Sequence, residues 1–137
     1  MGLIHLDAGV VIGLLDANDA HHAAAAATLA EVVKAGHRMG MAASAFAECL
    51  VGPSRRGEHA VAVVRDLFAR LPVEIAPLDA DTAQVAAALR AKHPSLRLPD
   101  ALVLATTSTC AADRLITTDR RWPTARKLGL PVTIVRL

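Results

Sequence analysis

Short apolar runs alternate with longer helical segments along the whole chain, and this alternation limits the possible folds more than any other feature of the sequence. The runs expected to form strands lie at residues 3–6, 39–43, 73–76, 115–118 and 131–135. The segments between them place apolar residues at helical spacing, most clearly from Gly57 to Leu71. Because a helix between two strands returns the chain for a parallel pairing, the sequence predicts an α/β fold with a central, mostly parallel sheet of about five strands, flanked by helices on both faces.

The predicted helix ends rest on capping residues and on glycine and proline. Asp19 is expected to cap the second helix and Ser44 the third, while Asp79 or Asp81 would cap the fifth. Two dipeptides set further boundaries: the third helix should end at Gly52-Pro53, and the last should begin at Trp122-Pro123.

The composition favours a single domain over residues 1–137 with an aliphatic core. Hydrophobic residues make up 53% of the sequence but aromatic residues only 2%, so few side chains could stack on a nucleic-acid base. The candidates are Phe46, Phe68 and Trp122. The net charge of +2 permits a nucleic-acid partner without indicating one.

The sequence is expected to fold in the cytoplasm. Cys49 and Cys110 stand outside any CxxC arrangement, which is typical of reduced thiols. The N-terminal apolar run lacks a preceding basic segment and is interrupted by Asp7, unlike a secretory signal. No apolar run of the sequence approaches the ~20 residues that span a bilayer, so no membrane association is expected.

Four acidic residues occupy comparable places in the predicted sheet. Asp7 and Asp119 follow strands, Asp100 opens a helix, and Glu48 lies soon after the second strand. Open α/β sheets bind ligands at the carboxyl ends of their strands, so the four can converge there. Taken singly, Asp7, Asp100 and Asp119 could equally be caps or turn residues. Glu48 lies in an apolar segment, where an ionised Glu is rarely buried unless it is paired or bound to a metal.

Such a cluster requires a positive charge. Two carboxylates ~4 Å apart repel by about 4 kcal/mol at an effective dielectric constant of about 20, so a cation or a shared proton must offset the repulsion. Oxygen ligands without thiolates select Mg²⁺ or Mn²⁺ over zinc. A cation held there could activate a water for in-line attack on a phosphodiester. The sequence has no GxxxxGK[ST], GxGxxG or GxSxG element, which argues against a P-loop, a dinucleotide site and a nucleophile elbow.

Four fragments, in their order and spacing, resemble the PIN-domain ribonucleases and in particular the VapC-type toxins of bacterial toxin–antitoxin pairs. They are LDAGVVI at 6–12, ASAFAE at 43–48, LPDA at 98–101 and ITTD at 116–119. The resemblance covers nearly the whole chain. It implies a PIN fold and a Mg²⁺-dependent endoribonuclease toxin, with Mn²⁺ a possible substitute, that hydrolyses RNA to 5′-phosphate and 3′-hydroxyl products.

By this resemblance the catalytic and metal-binding acids would be Asp7, Glu48, Asp100 and Asp119, with Thr117 a polar neighbour that supports them. Nearby arginines could hold RNA phosphates or be ordinary surface residues, and the sequence leaves both open. They are Arg55, Arg56, Arg97, Arg120 and Arg121. The family also implies a homodimer and a VapB-type antitoxin partner, whose tail would cross the acidic site.

The sequence departs from the family at two places. The family usually has a small polar residue where Gly9 stands, and a further acid and a Phe where this chain has Arg120-Arg121-Trp122. These departures leave open the number of metal ions. They also leave open an alternative function, a PIN-fold binding module with weak or no catalysis that acts through its protein partner. His21 and His22 are expected on the surface, since adjacent helical residues point to different faces.

Overall fold

The computed structural model describes residues 2–137, which contain one sheet of five strands. The strands are β1 (Leu3–Leu6), β2 (Arg38–Ala42), β3 (Val73–Ala76), β4 (Arg114–Thr117) and β5 (Thr133–Arg136). They lie in the order β3-β2-β1-β4-β5, and every pairing is parallel. The predicted parallel sheet of about five strands is therefore confirmed.

Seven helices connect and cover the strands in the described part of the chain. They are α1 (Ala8–Leu15), α2 (His22–Lys34), α3 (Ala43–Arg56), α4 (Glu58–Arg70), α5 (Ala80–Lys92), α6 (Leu98–Thr109) and α7 (Ala125–Leu128). The chain moves outward from β1 to β3 and then crosses back to β4. Because parallel crossovers are right-handed, this reversal puts α1 to α4 on one face of the sheet and α5 to α7 on the other.

The core is aliphatic, as the composition predicts. β1 and β4, at the middle of the sheet, bury Ile4, Leu6, Leu115 and Ile116 almost completely. The three aromatic residues are also packed inward: the rings of Phe46 and Phe68 meet edge to face at 4.9 Å, and Trp122 is buried. A base-stacking role for Trp122 is therefore wrong in this conformation.

Local hydrogen bonds decided which residues cap the helices. The Asp79 side chain accepts a hydrogen bond from the Thr82 amide and caps α5, as predicted. The caps predicted at Asp19 and Ser44 are wrong. Asp19 instead accepts the amide of His21 in a turn before α2, and α3 already begins at Ala43, so that Ser44 lies within it.

Two boundaries predicted from proline are also wrong. α3 continues through Pro53 to Arg56 and ends at Gly57, whose φ of 116° is open to glycine. Pro53 is buried in the core face of the helix, so its packing offsets the backbone hydrogen bond that it cannot donate. The last helix begins at Ala125 instead of Trp122, because the Thr124 side chain caps it by accepting the Lys127 amide.

Neither cysteine takes part in a disulfide; Cys49 is buried and Cys110 partly buried. Within residues 2–137 no helix has the length and apolar character needed to cross a membrane.

Candidate functional site

The predicted acids gather where the strand order reverses, at the carboxyl ends of β1 and β4. Asp7 follows β1 directly, and Asp119 lies two residues beyond the end of β4. The buried hydroxyl of Thr117 joins them, since it donates to Asp7 Oδ2 at 2.8 Å and accepts the Asp119 amide at 3.0 Å. A crevice at such a reversal is the usual ligand site of an open parallel sheet.

Asp7 is the most perturbed carboxyl of the group. One oxygen accepts the Ala8 amide at 2.8 Å, which caps α1. The pKa of Asp7 is raised to about 6, chiefly by burial; the hydrogen bonds from Thr117 and Ala8 act to lower it, and the negative charges of Glu48 and Asp100 act to raise it. Glu48 and Asp100 therefore both lie within electrostatic reach of Asp7.

Glu48 is exposed, so the expectation that it is buried is wrong. The buried face of α3 is formed by Ala45, Cys49 and Pro53, which turns Glu48 toward solvent. Its charge nevertheless acts on Asp7 and on the Cys49 thiol. Burial chiefly raises the pKa of that thiol to about 12, with the charges of Glu48 and Asp7 adding to the effect, so Cys49 stays protonated.

The other two acids are paired with arginines. Arg97 Nε lies 3.4 Å from Asp100 Oδ2. Arg121 approaches both oxygens of Asp119, with Nε 3.3 Å from Oδ1 and Nη2 3.1 Å from Oδ2, and its amide also donates to Oδ1. Burial acts to raise the pKa of Asp119, but the hydrogen bonds and charge of Arg121, together with the charge of Arg97, lower it.

These pairs surround a small cavity of about 90 Å³ beside the acids. It is lined by Ser95, Leu96, Arg97, Asp100, Asp119, Arg121, Trp122 and Pro123. The sequence contained a signal for the first of these ion pairs, because Arg97 and Asp100 are three residues apart at a helix start.

The donor set fits a hard divalent cation, because the side chains at this edge supply only carboxylate and hydroxyl oxygens. In the arrangement that residues 2–137 adopt, however, no three His, Cys, Asp or Glu side chains are close enough to hold a metal ion together.

The absence of a side chain at Gly9 is explained by Thr118. A Cβ built on Gly9 would fall on the Thr118 hydroxyl, which comes from the end of β4. This hydroxyl therefore occupies the space that a side chain at position 9 would fill. The role of Thr118 was not predicted, because no pattern in the sequence links Gly9 to a residue so far along the chain.

The other candidate arginines and the pair His21-His22 make no hydrogen bond to the four acids within residues 2–137. Arg55 and Arg56 are exposed in the last turn of α3. Arg120 donates to the carbonyl of Leu137 at 3.0 Å. His21 lines a shallow depression with Asp119, whereas the ring of His22 contacts the Gly13 carbonyl at 2.9 Å.

A larger groove of about 700 Å³ opens beside Glu48, between α1, α3 and α4. We call it the α1–α3–α4 groove; it is lined by Ile12, Leu15, Asp16, Glu48, Cys49, Gly52, Pro53, Arg56, Ala60, Val63 and Val64. Its apolar members Ile12, Leu15 and Val63 are 39%, 40% and 54% exposed. Apolar side chains exposed together in a groove are typical of a surface that binds another molecule.

Known proteins share this architecture. A family model of the PIN domain matches residues 4–128. VapBC2 from Rickettsia felis, solved bound to a DNA fragment from its promoter, is similar with a TM-score of 0.75 at 14% identity, over 98% of each chain. VapC20 from Mycobacterium tuberculosis, a sarcin–ricin loop cleaving toxin, gives 0.69 at 18% identity, over 95% of this chain and 98% of that one. A toxin–antitoxin complex from Klebsiella pneumoniae gives 0.65 at 22% identity, over 86% of this chain and 88% of that one. No curated protein matches the sequence.

Proposed function

Since the chain belongs to the PIN-domain family, whose model matches residues 4–128, we propose that it is a metal-dependent endoribonuclease and the toxin of a toxin–antitoxin pair. The observation that supports this most directly is the partly buried carboxyl of Asp7 at the point where the strand order reverses, within reach of the charges of Glu48 and Asp100. The solved relatives with similar folds include a loop-cleaving toxin and toxin–antitoxin complexes.

Asp7, Glu48, Asp100 and Asp119 would hold Mg²⁺, or Mn²⁺ in its place. The bound ion would supply the positive charge that lowers the pKa of an attacking water and stabilises the phosphate oxygens. The chain's own residues fix the geometry. Thr117 orients Asp7 through its hydroxyl and ties the backbone of Asp119 to the same point. Asp7 is held further by the first turn of α1, so its carboxylate cannot rotate freely.

RNA would be held by its phosphates and not by stacking. None of the aromatic side chains in residues 2–137 is exposed, so base stacking on this chain has no platform. Arg55, Arg56 and Arg120 are exposed, and their guanidinium groups would contact phosphates of a bound strand.

The partner would be a VapB-type antitoxin that occupies the α1–α3–α4 groove. The groove is apolar along its floor and has Glu48 on its wall, so a bound amphipathic segment carrying a basic residue would reach the acids and be attracted to them. We further propose that the protein acts in the cytoplasm as a homodimer.

The function is tested by incubating antitoxin-free protein with total cellular RNA in Mg²⁺, Mn²⁺ or EDTA and sequencing the new 5′ ends. Asp7→Asn should remove cleavage, and Asp81→Asn, an exposed acid in the first turn of α5, should leave it unchanged. Discrete metal-dependent cuts lost only in Asp7→Asn would support the nuclease. A folded protein that cuts no RNA under any condition would favour the binding module.

A further inference from the structure

Two arginines, Arg97 and Arg121, each form an ion pair with an acid of the candidate site. Arg121 holds Asp119 through two of its three side-chain nitrogens, Nε and Nη2. The charge of Asp100 also acts on Arg121. Its guanidinium therefore supplies positive charge that both Asp100 and Asp119 feel.

Arg97 acts from the other side of the same cavity. It contacts Asp100 at 3.4 Å, and its charge reaches Asp119. Both arginines line the cavity of about 90 Å³ together with the two aspartates. Asp7 and Glu48 have no such partner among the described residues, since the hydrogen bonds to Asp7 come from a hydroxyl and an amide.

With one divalent cation bound, the charges of the four acids and the two arginines would balance. Four carboxylates and two guanidinium groups leave a deficit of two positive charges, which a single divalent cation supplies. A second divalent cation would have to enter a site that is already neutral and would meet two fixed positive charges at short range.

We infer that Arg97 and Arg121 take the place of a second metal ion, so that this site binds one divalent cation. The inference rests on the proposed function only in that it takes the acids as metal ligands. It does not require strong ion pairs: exposed pairs contribute little stability, and here only their charge and position matter.

The fluorescence of Trp122 can report a second ion bound in the cavity beside Asp100 and Asp119. Trp122 is its one tryptophan, and it has no tyrosine. Trp122 lines the cavity between the two ion pairs. An Mn²⁺ ion bound in that cavity would quench its emission, because the ion is paramagnetic, whereas an ion at Asp7 would affect it less.

The test counts Mn²⁺ ions per chain by electron paramagnetic resonance and follows Trp122 emission in the same titration. The wild-type protein should bind one ion with little quenching. Arg97→Gln/Arg121→Gln should bind a second ion about tenfold or more tightly than wild type does, with strong quenching. The side chains of Arg97 and Arg121 are 68% and 78% exposed, so the fold should tolerate both changes; Arg121→Gln alone should show the same trend.

Arg120→Gln is the matched control, because Arg120 is adjacent but donates to a backbone carbonyl instead of an acid. It should keep one ion and unquenched emission. Two ions in the wild-type protein, or one ion in the double variant, would overturn the inference. RNA cleavage measured on the same samples separates the two proposals: two ions with cleavage defeats only the inference, and one ion without cleavage defeats only the nuclease.

Discussion

At the scale of single residues, the surroundings of Asp7 favour the neutral form of its carboxyl over the charged form. Its pKa is about 6 in the folded protein, compared with an ordinary value of 3.8. The folded state therefore binds this proton more tightly than the unfolded chain does. The stability that the neutral carboxyl gives is fully present below about pH 4 and is lost as the pH rises through about 6.

We predict that Asp7→Asn stabilises the metal-free protein at neutral pH but not in acid. The shift of about two pKa units corresponds to at most about 3 kcal/mol, and Asn is as good a helix cap as Asp. Urea unfolding in EDTA should show the difference between variant and wild type growing between about pH 4 and about pH 7. Burial lowers the pKa of His5, which acts in the opposite sense, but His5 is present in both proteins and cancels. A difference that stays constant over this range would contradict the assignment.

Gly9 gives a second prediction at this scale. Alanine normally stabilises a helix by up to about 1 kcal/mol relative to glycine, but here its Cβ would collide with the Thr118 hydroxyl. We expect Gly9→Ala to lower the free energy of unfolding by about 1–3 kcal/mol, as overpacking does. Gly9→Ala/Thr118→Ala should recover most of the loss. If Gly9→Ala alone raises the melting temperature, the two residues are not in close contact.

At the scale of elements, β1 is the central strand and carries a histidine into the core. His5 is only 2% exposed, and its ring has room because the neighbouring residue of β2 is Gly40, where a Cβ would lie 2.8 Å from the ring. On the α6 side, His5 Nδ1 meets the Thr107 hydroxyl at 3.2 Å. This contact joins the middle of the sheet to the helix that begins near Asp100.

Thr107→Val should therefore destabilise the protein more than Thr106→Val. Both threonines are buried, and both donate to the carbonyl four residues earlier, at 2.9 and 2.8 Å. Only Thr107 also pairs with His5, and a buried polar atom left without a partner costs about 1–3 kcal/mol. The difference between the two free energies of unfolding isolates this cost. Equal effects would mean that the contact contributes nothing.

Some of the strands and helices were predictable from the sequence, and others were not. The strands and the parallel sheet were predictable because short apolar runs alternate with longer segments of helical spacing along the whole chain. The continuation of α3 past Pro53 was not, because it depends on core contacts that lie far away in sequence. Glu48 was placed in the right helix but wrongly buried, since a helix rotates as a unit and its buried face is set by packing.

The site was predictable to the same degree. The strand ends of Asp7 and Asp119 follow from the parallel order. The hydroxyl partner of Asp7 and the ion pair of Asp119 depend on side-chain positions that only the folded chain fixes, as the contact between Thr117 and Asp7 illustrates.

At the scale of the whole molecule, the α1–α3–α4 groove exposes apolar side chains, and we propose that it binds the antitoxin. Val63 is 54% exposed on its wall, so Val63→Glu should leave the fold and RNA cleavage intact. It should weaken antitoxin binding by about tenfold or more, because it places a charge in an apolar contact and adds to the repulsion from Glu48. Val33→Glu, on an exposed helix position outside the groove, is the control. Calorimetric titration with the antitoxin would contradict the assignment if both variants bind as tightly as wild type.

The hydrogen bond between Thr117 and Asp7 closes a separation of 110 residues. During synthesis the N-terminal strand leaves the ribosome first, yet it cannot gain its β4 neighbour until almost all of this sequence has followed. The acids are therefore apart while the chain is being translated. Under the proposed function, a nascent chain could not cleave RNA until its last strands had emerged from the ribosome.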